Sequence, residues 1–252
     1  MRRVVKIGGR AQGDPTLPGL LAKAAHNGDE LVVVHGGGDE VTALQRRLGS
    51  EPTFIGGRRV TTEHDMEIVR MVLSGTVNKR LVRQLLDVGL PAIGISGEDG
   101  GILAATILEG GALGAVGEPL AADVRPIEAL LGAGFVPVIS PLGRHADTGQ
   151  GLNINGDDAA AAIAGALRAD ELLLLADVPG VLDASGTPVR FLAADDVDQL
   201  IASGVAKGGM TAKLQASRRA LAAGVATVRI SDVNALLDPA VGTRLTTAHS
   251  TA

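Results

Sequence analysis

Short, near-continuously apolar runs alternate with longer helical patterns from one end of this chain to the other, and that alternation restricts its fold more than any other feature. Residues 3–7, 31–35, 91–96, 135–140, 171–176 and 227–231 are rich in Val, Ile and Leu at consecutive positions. A strand with one wet face alternates polar and apolar residues, whereas a run that is apolar throughout is covered on both faces. Between these runs, residues 15–27, 39–48, 63–88, 123–131, 157–167, 193–203 and 210–223 carry helical spacing. Gly28, Gly49, Gly89, Gly134 and Gly224 stand where helix C-caps belong. The predicted fold is therefore α/β, a three-layer αβα sandwich with a mainly parallel central sheet. Two glycine-punctuated stretches, 53–62 and 102–120, read as hairpins beside that sheet. No period of 20–50 residues recurs, which argues against a solenoid. The nearest approach to a boundary is Ala169–Asp170, dividing two lobes, 1–170 and 171–252, that share one sheet.

Composition then removes whole classes of chemistry. The 252 residues include no Cys, Trp or Tyr and three Phe, so disulfides, thiolate catalysis and zinc–sulfur or iron–sulfur sites are excluded. Recognition by stacking bases on aromatic platforms is excluded with them. The formal net charge of −5 is opposite to the basic surplus of a nucleic-acid binder. Arg46-Arg47 and Arg218-Arg219 read as solvated helix faces. The longest uncharged stretch, residues 129–143, is broken by Pro137 and Pro141 and falls short of the roughly 20 residues a membrane span needs. Met1-Arg2-Arg3 leads directly into the first strand without a secretory h-region, and the expected setting is the cytoplasm.

Ligands of open α/β sheets bind beyond the carboxyl ends of the strands. The first strand ends in Lys6-Ile7-Gly8-Gly9 and the second in His35-Gly36-Gly37-Gly38, two turns able to aim backbone N–H groups at an anion. Neither matches the dinucleotide fingerprint or the P-loop, and glycine is the ordinary residue of a tight turn. Gly56-Gly57-Arg58-Arg59 puts guanidinium groups in a hairpin, where an arginine can fork onto a carboxylate. Asn153-Ile154-Asn155-Gly156-Asp157 precedes a helix, and one N-cap explains only one of its polar residues. Asp177-Val178-Pro179-Gly180-Val181-Leu182 follows a buried strand as a turn, and Lys213 lies one turn inside a helix opened by Gly208-Gly209.

Taken in order, these segments resemble the amino acid kinase family across essentially the whole chain. The shared patterns are K-x-G-G at 6–9, H-G-G-G at 35–38, G-x-R-V-T at 57–61 and M-V-L-x-G-x-V-N-K at 71–79. S-G-x-D-G at 96–100, N-x-N-x-D at 153–157, D-V-x-G-V-L at 177–182 and G-G-M-x-x-K at 208–213 complete the series. R-V-T, V-N-K and N-x-N-x-D point to the branch that phosphorylates the γ-carboxylate of N-acetyl-L-glutamate.

The resemblance implies a carbamate kinase-like fold and an ATP-dependent transfer giving an acyl phosphate and ADP. A carboxylate nucleophile is already ionised and needs no general base, which suits a chain without a His/Asp catalytic pair. The resemblance assigns Lys6 and Lys213 to opposite sides of the transferring phosphoryl group, with Asp157 between them. It gives Gly8 and Gly9 to phosphate; Gly37, Gly38, Arg59 and Asn153 to the acceptor substrate. Asp177, Val178, Pro179, Gly180, Val181 and Leu182, with Val205, Ala206 and Lys207, fall to the nucleotide. Mg²⁺ is expected to travel on the ATP phosphates, with no dedicated protein metal site. The N-terminal lobe would hold acetylglutamate and the C-terminal lobe ATP. Arg10 stands where the family more often has an uncharged residue.

Two rivals follow from the same residues. Gly156-Asp157 also resembles relatives that phosphorylate aminoadipate or glutamate attached to a small carrier protein, although those offer an acidic carrier a basic surface that this composition lacks. A silent amino-acid or nucleotide-binding regulator would not need both lysines and Asp157. Hexameric, arginine-inhibited members carry an extra helix ahead of the first strand; here the strand begins by Arg3, and a homodimer is expected. Met66, Val69, Leu73, Val77 and Leu81 on the long 63–88 helix are offered either as a dimer face or as core.

Overall fold

The computed structural model describes residues 1–183, 185–204 and 206–247, except for the side chains of Arg10 and Glu109. In chain order its strands are β1 (Arg2–Ile7), β2 (Glu30–His35), β3 (Phe54–Ile55), β4 (Arg58–Arg59), β5 (Ala92–Ser96), β6 (Ala104–Ile107) and β7 (Val116–Pro119). They continue with β8 (Val136–Ser140), β9 (Leu142–His145), β10 (Gly151–Ile154), β11 (Glu171–Leu175), β12 (Phe191–Ala193), β13 (Thr227–Ser231) and β14 (Thr243–Thr246). Eight of these form one sheet in the order β12-β14-β13-β11-β1-β2-β8-β5, parallel except where β14 runs against β13. β1 lies near the middle, with Lys6 in register with Val34 on one side and Leu174 on the other.

All six apolar runs are strands of this sheet, and β1, β2, β8 and β11 are buried along nearly their whole length, as a sheet covered on both faces requires. The helices that cover it are α1 (Leu17–His26), α2 (Gly38–Arg47), α3 (Glu63–Arg70), α4 (Asn78–Asp87), α5 (Arg125–Gly132), α6 (Gly156–Ala166), α7 (Val197–Ala202) and α8 (Gly209–Ala222). α6 and α8 pack together over β1, β11 and β13, while α4 lies on β5 and β8 and meets α1. The five C-cap glycines all take positive φ, the conformation that ends a helix with little strain.

Three features differ from the sequence expectation. The 102–120 segment is a hairpin, β6 with β7, but β9 and β10 close it into a four-stranded barrel. β12 and β14 extend one edge of the main sheet; being short, with exposed positions, they present no apolar run to read. The 63–88 helix is continuous but widens into a π-helical segment, Met71–Val77, between α3 and α4. Met66, Val69, Leu73, Val77 and Leu81 are all buried in this chain's own core, so their spacing records core packing and not a dimer face. No helix among the described residues is long and apolar enough to cross a membrane.

Candidate active site

The C-terminal end of β1 and the first turns of α6 and α8 converge. Lys6 is the penultimate residue of β1, Asp157 the second residue of α6, and Lys213 sits one turn into α8. Lys6 Nζ lies 3.0 Å from Asp157 Oδ1. Lys213 Nζ donates to the same oxygen at 3.0 Å and to Oδ2 at 3.3 Å. Asn155 caps α6, accepting from the backbone N–H of Asp157 at 2.9 Å and of Asp158 at 3.3 Å, so the cap fixes where the carboxylate stands. The positive end of the helix favours a carboxylate there. Burial pushes the Asp157 carboxyl toward protonation, but the two ammonium groups outweigh it and hold its pKa below the ordinary range. On Lys213 burial wins: it lowers the pKa, Asp157 opposes, and the neighbouring Lys6 charge lowers it further.

These three side chains line a cavity of about 420 Å³ together with Gly8, Gly9 and Asp177. Gly8 is pressed close to the sheet: a Cβ there would come within 3.2 Å of the Leu175 carbonyl oxygen. A second cavity, about 230 Å³, is walled by Gly36, Gly37, Gly38, Arg59 and Asn153, and the two cavities share Gly38. Gly37 has φ +153° and no room for a side chain, since a Cβ would stand 2.8 Å from Leu73 Cδ2 and 3.0 Å from Val77 Cγ2. The π-helical segment supplies both of those packing atoms.

Arg59 is held without being neutralised. Its guanidinium donates to Gln45 Oε1, to the Gly38 carbonyl oxygen at 2.9 Å and to Thr42 Oγ1 at 2.7 Å, all uncharged acceptors. The Phe54 ring lies 4.8 Å from its central carbon, a cation–π contact that uses one of the chain's three aromatic rings. Gln45 is oriented in turn by buried Asp65, whose Oδ1 accepts from Gln45 Nε2 at 2.6 Å, and Asp65 completes a capping box with Thr62. Among the described residues no carboxylate pairs with Arg59, so the cavity presents a positive charge fixed in direction and open to a ligand carboxylate. Arg58, the neighbouring guanidinium, is committed elsewhere: it shares the buried Asp158 carboxylate with Arg219.

The structure thus brings Lys6, Asp157, Lys213, Gly8, Gly9 and Asp177 to one cavity and Gly37, Gly38, Arg59 and Asn153 to its neighbour. Asn153 Nδ2 donates to Thr61 Oγ1 at 3.1 Å, which ties the barrel strand β10 to the segment between β4 and α3. Among the described residues, the remaining expected nucleotide residues line neither cavity. Val178 is half-buried and Pro179 exposed; Gly180 and Val181 are buried, and the Val181 N–H donates to Thr243 Oγ1 at 2.8 Å. Leu182 bridges to Pro188; Ala206 is buried and accepts from Thr211 Oγ1 at 3.2 Å; Lys207 is exposed. Val205 and the Arg10 side chain lie outside the described residues. Gln45, Thr42 and Asp65 were not anticipated. Only Asp65 had a local signal, three residues after Thr62 in a capping-box spacing.

The arrangement can hold a polyanion against two ammonium groups and, one glycine turn away, a carboxylate against Arg59. Because Lys213 has a lowered pKa, its neutral form appears at lower pH than for an ordinary lysine. The turnover rate should therefore fall on an alkaline limb below the ordinary lysine value of about 10.4. A kcat–pH profile flat to that value would contradict the role given to this ammonium.

Comparison with known proteins points the same way. The amino acid kinase family model matches residues 1–232. The acetylglutamate kinase of Methanopyrus kandleri is 44% identical over 83% of this chain and 89% of its own. That of Chloroflexus aurantiacus is 42% identical over 96% of both chains. Among solved structures, smu.665 from Streptococcus mutans superposes with a TM-score of 0.89 at 32% identity, covering 98% of this chain and 99% of that one.

Proposed function

This chain belongs to the amino acid kinase family, and we propose that it transfers the γ-phosphoryl group of ATP to the γ-carboxylate of N-acetyl-L-glutamate. The products are N-acetyl-L-glutamyl 5-phosphate and ADP, the second step of arginine biosynthesis. The observation that carries the reading is the pair of cavities on a shared glycine wall, two lysines on one carboxylate in the first and an open arginine in the second. Relatives that carry the name acetylglutamate kinase at more than 40% identity supply the choice of acceptor.

An acceptor carboxylate oxygen forms a bond to the γ-phosphorus while the bond from that phosphorus to the β–γ bridging oxygen breaks, and ADP departs. Negative charge spreads over the equatorial oxygens, where Lys6 and Lys213 are placed to meet it. Asp157 fixes the two ammonium groups against its carboxylate, so they need not reorganise as charge moves. The N–H groups of Gly8 and Gly9 face the phosphate, and those of Gly37 and Gly38 the acceptor. Arg59 forks onto the acceptor's α-carboxylate and Asn153 bonds its amino-acid end. Residues 1–170 supply the acceptor site and residues 171–252, from Asp177 onward, most of the nucleotide site.

Mg²⁺ fits this site as a passenger of the triphosphate. Lys6, Lys213 and the glycine turn at Gly8-Gly9 would hold the triphosphate on which the ion would arrive. When bound it would neutralise part of the phosphate charge. In solution the enzyme is a cytoplasmic homodimer, a reading supported by Met71, Leu86 and Val88, exposed on the outer surface of the long helix and the turn after it.

The decisive assay follows ADP release with N-acetylglutamate, N-acetylaminoadipate and aspartate side by side. Turnover with free N-acetylglutamate and no added carrier is expected; silence with all three free acids would reject the reading. Arg59→Ala should raise KM for N-acetylglutamate by about 30–160-fold, as loss of a charge-assisted pair of about 2–3 kcal/mol implies, with KM for ATP little changed. Equal increases in both constants would remove Arg59 from the acceptor site.

A further inference from the structure

His35 is fully buried at the end of β2, directly before the glycine turn, and the transfer chemistry makes no use of it. Its surroundings decide which ring nitrogen carries the proton. Asn78, also fully buried, directs its Nδ2 at the carbonyl oxygens of Val138, 2.9 Å away, and Ile95, 3.3 Å away. Both are acceptors, so this atom must be the amide nitrogen and not the oxygen. The same nitrogen lies 3.2 Å from His35 Nε2; with two hydrogens it serves Val138 with one and shares the other between Ile95 and Nε2, and since an amide nitrogen cannot accept, Nε2 carries no proton. The proton is left to Nδ1, which lies 2.8 Å from the Gly36 carbonyl oxygen and donates to it. Burial, the largest influence, lowers the ring's pKa to about 4, so the neutral form persists at neutral pH.

Pinning the Gly36 carbonyl toward the ring fixes the whole Gly36–Gly37 peptide plane. In a trans peptide the N–H points opposite to the C=O, so the Gly37 N–H is turned away from His35. Gly37 and Gly38 wall the Arg59 cavity on that side. The planes on either side are tied by the backbone, Gly36 N–H to the Ile7 carbonyl and Val41 N–H to the Gly37 carbonyl; among the described residues the Gly36 carbonyl and the Gly37 N–H have no hydrogen-bond partner other than His35.

We propose that His35 is a positioning residue for the phosphoryl transfer: locked by Asn78 as the Nδ1–H tautomer, it holds the Gly36–Gly37 peptide so that the Gly37 N–H faces the acceptor group. The inference rests on the reading of that cavity as the acceptor site. An asparagine amide at position 35 reaches as far as Nδ1 and can still donate to Gly36, whereas a glutamine amide reaches as far as Nε2 and serves only Asn78. His35→Gln should lower kcat about 10-fold or more, bounded by the 10²–10³-fold loss of a whole oxyanion donor, with KM for ATP unchanged. His35→Asn should recover most of that rate although it forfeits the Asn78 contact. Each variant loses one hydrogen bond, so a merely structural role would make both rates follow the loss in Tm. Equal kcat values for the two, or wild-type kcat in His35→Gln, would overturn the proposal. The wild-type protein supplies a second arm: ¹⁵N NMR of the imidazole should show a neutral ring protonated on Nδ1 from pH 6 to 8. An Nε2–H ring or an imidazolium would refute it even if the variants fail to fold. Inactivity of the wild type toward N-acetylglutamate would instead remove the acceptor reading, whatever the tautomer.

Discussion

Lys213→Ala should lower kcat by about 10²–10³-fold while leaving KM for both substrates within about threefold. The reason lies in what the ammonium touches. It is half-buried, bonded only to Asp157 among the described residues, and lines the cavity between the two glycine turns. Such a charge acts on the transition state, where the equatorial oxygens carry most of the charge being moved, more than on either bound ground state. The fold should survive the change, because Asp157 keeps Lys6 as a partner at 3.0 Å and is not left a lone buried charge. Steady-state kinetics with a parallel melting curve separates the two effects. Full kcat in a folded Lys213→Ala enzyme would end the assignment.

Glu171→Ala should have the largest effect on stability, at the far end of the same strands. Glu171 opens β11 and is met by two buried arginines, Arg229 Nε at 2.5 Å and Arg3 Nε at 2.6 Å. The Arg3 contact is an ion pair without hydrogen-bond alignment, whereas Arg229 also donates from its second terminal nitrogen to Glu171 at 3.2 Å. Arg229 further bonds the carbonyls of Ala235, Asp238 and Val241, tying down the segment before β14. Arg3 keeps Asp29 at 3.0 Å, but removing the carboxylate leaves the interior Arg229 guanidinium with carbonyl partners alone and no counter-charge, a class of change that costs about 3–5 kcal/mol. For a chain of this size that corresponds to a Tm lowered by about 6–20 °C. At low temperature kcat should be unchanged, since the cavity lies at the opposite ends of β1 and β11. A melting temperature within about 2 °C of the parent would show the cluster to be dispensable.

The central sheet was legible because each of its inner strands is apolar at nearly every position, a pattern that needs no tertiary knowledge. The barrel was not, because β9 and β10 are four-residue strands containing Gly143, Arg144, Gly151 and Asn153, whose pairing arises only when β6 and β7 are brought beside them. At the site, the residues with unusual local company stood out: Lys6 before two glycines, and Asp157 behind a cap that Asn155 already filled. Gln45 was invisible. On an exposed-looking helix it reads as one more polar residue, and its value comes from Asp65 and Arg59 arriving from another element. Phe54 was misjudged by composition, which treated scarce aromatics only as an exclusion; in the fold it props the Arg59 guanidinium.

The place of β1 between β2 and β11 also matters before the protein is finished. β2 follows soon after it, but β11 is made only when about two-thirds of the chain exists. At a synthesis rate of about 5–20 residues per second, the β11-facing edge of β1 waits on the order of 10–30 s for its partner. That edge belongs to a strand whose Val4, Val5 and Ile7 are wholly buried in the folded state, and an unpaired apolar edge invites association with other nascent chains. Lys6 is thus among the first residues translated and among the last to be completed, since Lys213 emerges later still. Ribosome-associated chaperones that shelter the growing chain should raise the yield of this protein, and no nascent fragment ending before α8 can assemble the charged trio.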